Sequence, residues 1–361
     1  MNRYKVAIVG CGSIGALKPD KYDSPKTHNI LTHAHAVYNH AQADLVALVD
    51  ADLEKSRDAA ARWRKDGIII HAYGATLGSI ILPYDSKITI SNMLRINKPD
   101  IIILATPTET HCSVLESMIV AVRCGHHKPK LVIAEKPFCS DYEQAEHIAQ
   151  LYQREGIPIL INYTRRFDPV HQEVNRWIQS GKLGEIRHCR VIYGRGLKRE
   201  ACHAIDLCNW WFGPCRQGSI LDYLDTDPKD FLCDYSTADP SYTAQLKYEN
   251  GTRVFLSPMD GRDYSIFEID VLGSAGRITL TNHGLSCQHY PVMAEPVYGD
   301  YNTLDHVANN INDHSGMKQA LLYALCNVVD HLETGKPLLC TPADALAAHK
   351  IYDMLRIKSI E

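Results

Sequence analysis

The hydrophobic pattern divides the chain into two parts. From the N-terminus to residue 137, apolar segments ("YKVAIVG", "ADLVALVD", "DIIILATP" and "KLVIAEKP") alternate with segments of helical periodicity, such as "ADLEKSRDAAARWRKD" and "HCSVLESMIVAVRCG". Wholly apolar strands between amphipathic helices are typical of a parallel sheet with helices on both faces. We therefore predict an α/β domain with a doubly wound parallel sheet over residues 1–137.

After residue 137 one more helix and strand follow, and then the period of the pattern changes. Polar and apolar residues alternate in "YTAQLKYENGTRVFLSP", where Asn250-Gly251 is a typical hairpin turn, and in "SIFEIDVLGSAGRITLT". Helical periodicity returns in "MKQALLYALCNVVDHLETG" and "PADALAAHKIYDMLRI". These patterns predict an α+β domain with a mostly antiparallel sheet over residues 138–361.

A glycine-rich turn follows the first strand. Gly12 lies where a missing side chain lets the backbone approach a pyrophosphate, and Gly15 lies where the next helix packs against the sheet. Asp50 ends the second strand, where a carboxylate accepts hydrogen bonds from the ribose hydroxyls and repels a 2′-phosphate. We predict a dinucleotide site that favours NAD over NADP; a plain tight turn and an exposed strand-end carboxylate are the structural alternatives.

The spacing of this motif is unusual, since Asp50 lies 35 residues after Gly15 and the usual distance is about 20. The segment "LKPDKYDSPKTHN", residues 17–29, contains prolines and polar residues that cannot continue a helix. We interpret it as an insertion, with the helix resuming near "THAHAVYNHA". It could cover the cofactor, join a subunit contact or be a neutral surface excursion.

Composition narrows the classes of partner. Hydrophobic residues make up 45 % of the chain, charged residues 22 %, and the net charge is -4; this is an ordinary globular balance without the basic surface of nucleic-acid binders. With no signal-peptide pattern and no apolar run of about eighteen residues, we expect a cytoplasmic protein that binds neither membranes nor nucleic acid. The twelve cysteines lack C-x-x-C spacing, so we predict reduced thiols and no metal; a zinc site from Cys202, His203, Cys208 and Cys215 would not match a known spacing.

Two further segments end strands at the same edge of the predicted sheet. In "ATPTETH", Thr106, Pro107 and His111 are candidate neighbours of the nicotinamide ribose, although Thr108 or Thr110 capping a helix explains the segment equally well. In "VIAEKPF", Lys136 ends a buried strand, where an ammonium group needs a partner or a task. Glu135 could be that partner in a structural ion pair.

The motifs "VGCGSIG", "LVALVDAD", "ATPTETH", "AEKPF", "NYTRRFDP", "LGEI" and "CHAIDLCNWWFG", in this order, resemble those of the Gfo/Idh/MocA family of sugar and cyclitol dehydrogenases. The resemblance covers nearly the whole chain. It implies an N-terminal Rossmann domain and a C-terminal domain on an open, mostly antiparallel sheet. It also implies that Lys136 contacts substrate and nicotinamide ribose, that His203 is the active-site histidine, and that Asn162, Tyr163 and Arg166 lie where cofactor and substrate meet.

The chemistry suits these residue types. Oxidation of an alcohol sends a hydride to the nicotinamide and the hydroxyl proton to a base, for which imidazole has a suitable pKa. We expect His203 to be this base and Lys136 to stabilise charge on the reacting oxygen. Asp206, one helical turn after His203, could orient its ring or bind a substrate hydroxyl, or could be a surface or capping carboxylate.

The chain departs from the family pattern before this histidine. Many members carry an aspartate four residues earlier, where this chain has Arg199, and others carry an asparagine at the position of Glu200. Glu200 could replace the missing carboxylate, or His203 and Lys136 could act without it. The cations near the expected cleft suggest an anionic substrate such as a sugar phosphate, nucleotide sugar or uronic acid, although surface salt bridges are an alternative for each: Arg165, Arg166, Arg195, Lys198 and Arg199.

These observations predict an NAD-dependent oxidoreductase that acts on a CH–OH group of a sugar, sugar derivative or cyclitol. The alternative is a non-catalytic NAD-binding regulator of the same fold. We expect the open face of the antiparallel sheet to leave an apolar surface that isolated monomers seldom expose, which predicts a homodimer or homotetramer. The predicted cofactor-binding residues are Gly10, Gly12, Ser13, Ile14, Gly15, Asp50, Thr106, Pro107, His111, Glu135 and Lys136; the catalytic residues are Lys136, His203 and Glu200; the substrate-binding residues are Asn162, Tyr163, Arg166, Arg199 and Asp206.

Overall fold

The structure, a computed structural model, describes residues 3–74, 76–77, 80–81, 86–224, 239–261, 264–310 and 315–356. The chain forms two compact units, one of Met1–Phe167 with Lys318–Ala345 and one of Asp168–Met317 with Leu346–Glu361. The first unit extends past residue 137, where we placed the domain boundary, because the strand that follows still belongs to its sheet.

The regular elements occur in the following chain order. The strands are β1 Tyr4–Val9, β2 Ala43–Val49, β3 His71–Tyr73, β4 Thr76–Leu77, β5 Ile80–Ile81, β6 Ile101–Leu104, β7 Leu131–Glu135, β8 Ile159–Asn162, β9 Ile186–Tyr193, β10 Cys215–Leu224, β11 Ser241–Tyr248, β12 Arg253–Pro258, β13 Phe267–Gly273, β14 Gly276–Thr281, β15 Ser286–Ala294, β16 Asn302–Leu304 and β17 Asn309–Asn310. The helices are α1 His33–Asn39, α2 Leu53–Arg62, α3 Ser86–Asn97, α4 Thr108–Arg123, α5 Tyr142–Glu155, α6 Pro169–Gln179, α7 Cys202–Phe212, α8 Ala320–Thr334 and α9 Pro342–Arg356.

The sheet of the first unit has six strands in the order β3-β2-β1-β6-β7-β8, and every neighbouring pair is parallel. Every residue of β6, β7 and β8 is buried, as expected when helices cover both faces of a parallel sheet. The strand order reverses direction between β1 and β6, and ligands of such folds bind at the carboxyl ends of the strands beside this switch point. The predicted Rossmann topology is confirmed.

The second unit is built on a nine-stranded sheet. Its order is β10-β11-β12-β9-β13-β14-β15-β16, with β17 paired to β15. The pair of β9 and β12 is parallel, and the other pairs are antiparallel. The Asn250-Gly251 hairpin joins β11 to β12, and Gly251 has the positive φ of 90° that this turn requires. The mostly antiparallel sheet is therefore confirmed.

One face of this sheet differs from our expectation of an apolar surface. Along β9, Cys189 and Val191 are buried, whereas Arg190 between them is exposed. Asp270 on β13 lies beside it and receives two hydrogen bonds of 2.7 Å from the guanidinium of Arg277 on β14. The outward-facing positions thus carry ion pairs. Successive side chains of a strand point to opposite faces, and the apolar ones lie on the face that packs against the core. A homodimer or homotetramer stays a prediction.

Candidate functional site

The glycine turn is closely packed on one side and open on the other. A Cβ atom at Gly10 would lie 2.4 Å from the carbonyl oxygen of Ala105, and one at Gly15 would lie 1.9 Å from that of Gly10. A Cβ atom at Gly12 would meet no atom of the described residues within 4 Å, apart from its two neighbours in the chain. Gly10 and Gly15 therefore let the backbone segments approach each other, while Gly12 faces the open space in which a pyrophosphate would lie.

Asp50 lies against this turn, as predicted. One carboxylate oxygen accepts the backbone N–H of Cys11 at 2.7 Å, and the other accepts that of Asp52 at 3.0 Å. Ser13 is exposed at the turn. Ile14, in contrast, packs against a buried apolar cluster, so its side chain belongs to the core.

The backbone hydrogen bonds explain the long distance between Gly15 and Asp50. Ala16 donates to the carbonyl of Gly12, which begins a helical ladder, and His33 then donates to Ile14 at 3.0 Å and Ala34 to Gly15 at 2.9 Å. In an uninterrupted helix, residues 18 and 19 would make these two bonds. Residues 18–32, fifteen in all, are therefore an insertion within one helix. Without them the spacing of 35 residues becomes 20, the usual value of about 20.

The insertion is folded around a buried carboxylate. Asp23 accepts hydrogen bonds from the Leu31 N–H at 2.9 Å, the Thr32 hydroxyl at 2.6 Å and His35 Nδ1 at 2.7 Å. Burial alone would raise the pKa of Asp23, but the bonds from His35, Thr32 and Leu31 lower it below its ordinary value. Thr32 also caps α1 by accepting from the His35 N–H. The pattern of the sequence gave no sign of this arrangement.

His111 contacts two backbone carbonyl groups. Its side chain is buried, with Nδ1 3.0 Å from the carbonyl oxygen of Phe138 and Nε2 2.9 Å from that of Thr106. It therefore connects two segments that follow β6 and β7, and its place beside the nicotinamide ribose stays a prediction. Pro107 is exposed and forms the N-cap of α4 without a side-chain cap, while Thr106 stays half-buried at the strand end.

A buried polar cluster lies at the ends of β7 and β8. Glu135 Oε1 is 2.8 Å from Nε2 of His33 and accepts Nδ2 of Asn162 at 2.5 Å. Burial would raise the pKa of Glu135, but His33, Asn162 and the positive charge of Lys136 lower it. Glu135 is thus ionised, and its direct partners include His33, which the sequence analysis missed. Only the position of His33 at the restored helix could have suggested it.

Arg166 is bonded by groups of the first unit itself. Its side chain is 2 % exposed, and Nη1 donates to the carbonyl of Leu339 and to Asp344 Oδ1, both at 3.0 Å. The guanidinium therefore connects the two segments of the first unit, residues 1–167 and residues 318–345. A buried ion pair of this kind gives Arg166 a structural role, and its contact with substrate stays a prediction. Tyr163 is likewise fully buried, whereas Lys136 is half-buried.

In the second unit, a π-helical turn, Gly196–Ala201, precedes α7. Asp239 accepts the backbone N–H groups of Lys198 and Arg199 at 2.9 Å and 2.8 Å, and so holds this turn. Glu200 accepts the N–H of Gly194 at 2.8 Å. Its carboxylate is therefore engaged in the local turn. Turns of this type are frequent at functional sites.

The predicted catalytic histidine follows directly on this turn. His203 is half-buried in the first turn of α7, and Asp206 one turn later is buried. In the described part of the chain, no group of three or more His, Cys, Asp or Glu side chains could hold a metal ion. No helix among the described residues is long and apolar enough to cross a membrane.

Residues 4–163 match the model of the GFO_IDH_MocA family, described as an oxidoreductase family with an NAD-binding Rossmann fold. Over these residues the chain is similar to the members of this family. Inositol 2-dehydrogenase 2 of Saccharopolyspora erythraea is 27 % identical over 82 % of this chain and 79 % of its own length. Two further relatives align over 50 % and 43 % of this chain, and over 44 % and 38 % of their own lengths.

Two solved structures share the fold over almost the whole chain. The WlbA dehydrogenase from Bordetella pertussis, crystallised with NADH and UDP-GlcNAcA, has a TM-score of 0.67 at 17 % identity and covers 98 % of this chain and 95 % of its own. The super-repressor mutant of Gal80p from Saccharomyces cerevisiae has a TM-score of 0.70 at 16 % identity over 98 % and 95 %. These similarities show the fold alone.

The residues of the first unit fit NAD, the cofactor named in the description of the matching family. Gly12 borders open space, and Asp50 presents a carboxylate beside it. At the other end of the same sheet edge, the buried Oδ1 of Asn162 has no hydrogen-bond partner among the described residues. An unsatisfied buried acceptor at a ligand-binding edge is expected where a bound group supplies the donor.

Proposed function

We propose that the protein is an NAD-dependent dehydrogenase that oxidises a CH–OH group of a sugar, sugar derivative or cyclitol. The observation that carries the proposal is the restored Rossmann spacing. Once residues 18–32 are set aside, the glycine turn, Asp50 and the strand end with Glu135 and Lys136 follow the order expected of an NAD site. The name of the relative from Saccharopolyspora erythraea, an inositol 2-dehydrogenase, supports the substrate class.

The proposed reaction uses the two residues that the family resemblance singles out, His203 and Lys136. His203 accepts the hydroxyl proton, while Lys136 donates a hydrogen bond to the same oxygen and stabilises the charge that develops there. Bound NAD supplies the hydride acceptor. The products are the carbonyl compound and NADH, with the proton held by His203 until water removes it. Asp206, buried one turn after His203, acts as a positioning residue for the imidazole.

The substrate is proposed to carry an acidic group. Arg195, Lys198 and Arg199 occur together on the turn before α7 and are half-buried, so they can bind phosphate or carboxylate with partial shielding from water. We do not include Arg166 among the cations proposed to bind the acidic group, because it is paired with Asp344. The WlbA structure, with its bound acidic nucleotide sugar, supports the same class.

The test is an absorbance assay for NADH. Wild-type protein is given NAD with matched pairs of a neutral and an acidic compound: glucose and glucose 6-phosphate, glucose and glucuronic acid, and inositol and inositol phosphate. Nucleotide sugars are tested in the same assay. The proposal expects turnover, with a lower KM for the acidic member of each pair. Preference for the neutral members would contradict the acidic substrate but not the dehydrogenase.

A non-catalytic regulator is the second candidate. The likeness to Gal80p, a protein described as having a super-repressor mutant, and the presence of Arg199 in place of the usual aspartate favour it. Retention of both Lys136 and His203 favours the enzyme. Tight NAD binding without turnover on any compound of the panel would favour the regulator.

A further inference from the structure

His33 is a buried residue with no part in the chemistry proposed above. Its Nε2 atom lies 2.8 Å from Oε1 of Glu135, the residue directly before Lys136. The side chains of His33 and Glu135 are only 2 % and 11 % exposed. A hydrogen bond shielded in this way is stronger than one in water, and its loss is correspondingly costly.

The hydrogen bonds leave one side of the carboxylate available. Among the described residues, His33 and Asn162 both bond Oε1 of Glu135, and no residue bonds Oε2. Asn162 Oδ1 is also buried without a partner in the described part of the chain. Two acceptors therefore remain at the ends of β7 and β8. Hydroxyl or amide groups, which the nicotinamide half of NAD carries, are the donors that such acceptors require.

The position of His33 depends on the insertion. His33 is the first residue of α1, where its N–H continues the ladder from Ile14. Asp23, a residue of the insertion, also fixes the start of α1, because its carboxylate bonds the side chains of Thr32 and His35. The two buried histidines of this turn thus have separate carboxylate partners: His35 bonds the insertion, and His33 bonds the strand that ends at the site.

We propose that His33 is a positioning residue for cofactor binding: its hydrogen bond to Oε1 holds Glu135 turned so that Oε2 accepts a hydrogen bond from the nicotinamide half of NAD. This role rests on the function proposed above. The charged or titratable groups that act on Glu135 are His33 from α1 and Lys136 from the adjoining position, while β8 contributes the neutral amide of Asn162.

Three variants separate positioning from packing. His33→Leu removes the donor at similar volume, whereas His33→Gln keeps an N–H donor near the position of Nε2. His35→Leu is the matched control, because it removes a buried histidine from the same turn without touching Glu135. The NADH dissociation constant is measured by fluorescence titration, and the melting temperature of the cofactor-free protein is measured from pH 4 to pH 8.

We expect His33→Leu to bind NADH about tenfold to a hundredfold more weakly, the loss of one hydrogen bond to a charged group. His33→Gln should retain most of the affinity, and His35→Leu should lower the melting temperature without a comparable loss of affinity. Equal affinities of His33→Leu and wild-type protein would overturn the proposal, as would equal losses in His33→Leu and His35→Leu.

The pH dependence gives a second readout that requires no turnover. In the wild type Glu135 is ionised when folded, so its stabilisation is present at neutral pH and lost on acidification. Without His33, burial of the ionised Glu135 carboxylate destabilises the folded protein at neutral pH. Protonation of this carboxylate at low pH removes the destabilisation. The melting-temperature deficit of His33→Leu should therefore shrink as the pH falls towards 4. A deficit independent of pH would show that His33 only packs.

A double variant tests whether His33 acts through Glu135. Glu135→Gln removes the charge, and adding His33→Leu to it should weaken NADH binding little further. Multiplicative losses would contradict the mechanism. If His33→Leu does not fold, His33→Asn replaces it, since its shorter amide cannot reach Glu135. Because these readouts use NADH binding and cofactor-free protein, they remain valid if the substrate panel gives no turnover.

Discussion

The backbone N–H of His33 donates to the carbonyl oxygen of Ile14, although the whole insertion lies between the two residues in the chain. The bond and its neighbour from Ala34 to Gly15 preserve the register of a helix that residues 18–32 interrupt. Two segments that are separated in the sequence thus form one helix after the glycine turn. This relationship also brings His33 to the edge of the sheet where Glu135 ends β7.

Deletion of residues 18–32, which joins Leu17 to His33, should yield a folded protein with a continuous helix. Its melting temperature should fall, because the deletion removes Ile30 from the apolar cluster with Ala36 and Leu321. NADH binding should be retained, and fluorescence titration measures it. Deletion of residues 18–31, which shifts the register by one position, is the control and should bind NADH poorly. Equal behaviour of the two deletions would contradict the ladder.

Gly12→Ala should weaken NADH binding, whereas Gly15→Ala should lower the stability of the fold. Gly12→Ala adds a methyl group to open space, so the melting temperature should stay near that of the wild type while NADH affinity falls, because the methyl group occupies the expected pyrophosphate position. Gly15→Ala places its methyl group against the carbonyl of Gly10 and should cost about 3 kcal/mol of stability or more. Calorimetry and NADH titration together check this, and unaltered NADH affinity in Gly12→Ala would be inconsistent with our site.

Asp23→Asn should destabilise the protein most at neutral pH. The folded protein lowers the pKa of Asp23, so its stabilisation is complete above the unfolded pKa of about 3.9 and is lost as the pH falls through the lower folded value. The difference in unfolding free energy from the wild type, about 3 kcal/mol at neutral pH for a buried pair with one charge removed, should therefore narrow below about pH 4. Urea titrations at several pH values measure it; a constant difference would refute the assignment.

Arg166→Met should reduce stability rather than substrate affinity. The substitution leaves Asp344 without its buried guanidinium partner, and since the aspartate side chain is 32 % exposed, we expect a loss of about 2 kcal/mol rather than the 3–5 kcal/mol of a fully buried pair. Denaturant unfolding measures this loss. A large increase in KM for acidic substrates at unchanged stability would restore the substrate-binding role.

The sequence sufficed for features that depend on local pattern. The strands of the first unit are wholly apolar, the Asn250-Gly251 turn has its own signature, and the glycine turn is defined by a short motif. Each of these is set by residues close together in the chain, and the fold was predicted correctly from them.

The missed features join residues that are distant in sequence. His33 and Glu135 are 102 positions apart, and Arg166 and Asp344 are 178 apart, so no periodicity relates them. A buried histidine or arginine also looks the same in sequence as one that binds a ligand. Its role becomes visible only when folding shows whether its partner belongs to the protein, as for His111 and the two carbonyl groups that it contacts.

The central claim is that the protein is an NAD-dependent dehydrogenase in which Lys136 and His203 act on the reacting oxygen. The most direct measurement compares NADH formation by the wild type, Lys136→Ala and His203→Ala on the best substrate of the panel, with NADH titration as a control for cofactor binding. Our account predicts that kcat falls about a hundredfold or more in both variants, while the His203 variant still binds NADH. Full activity in His203→Ala would contradict it.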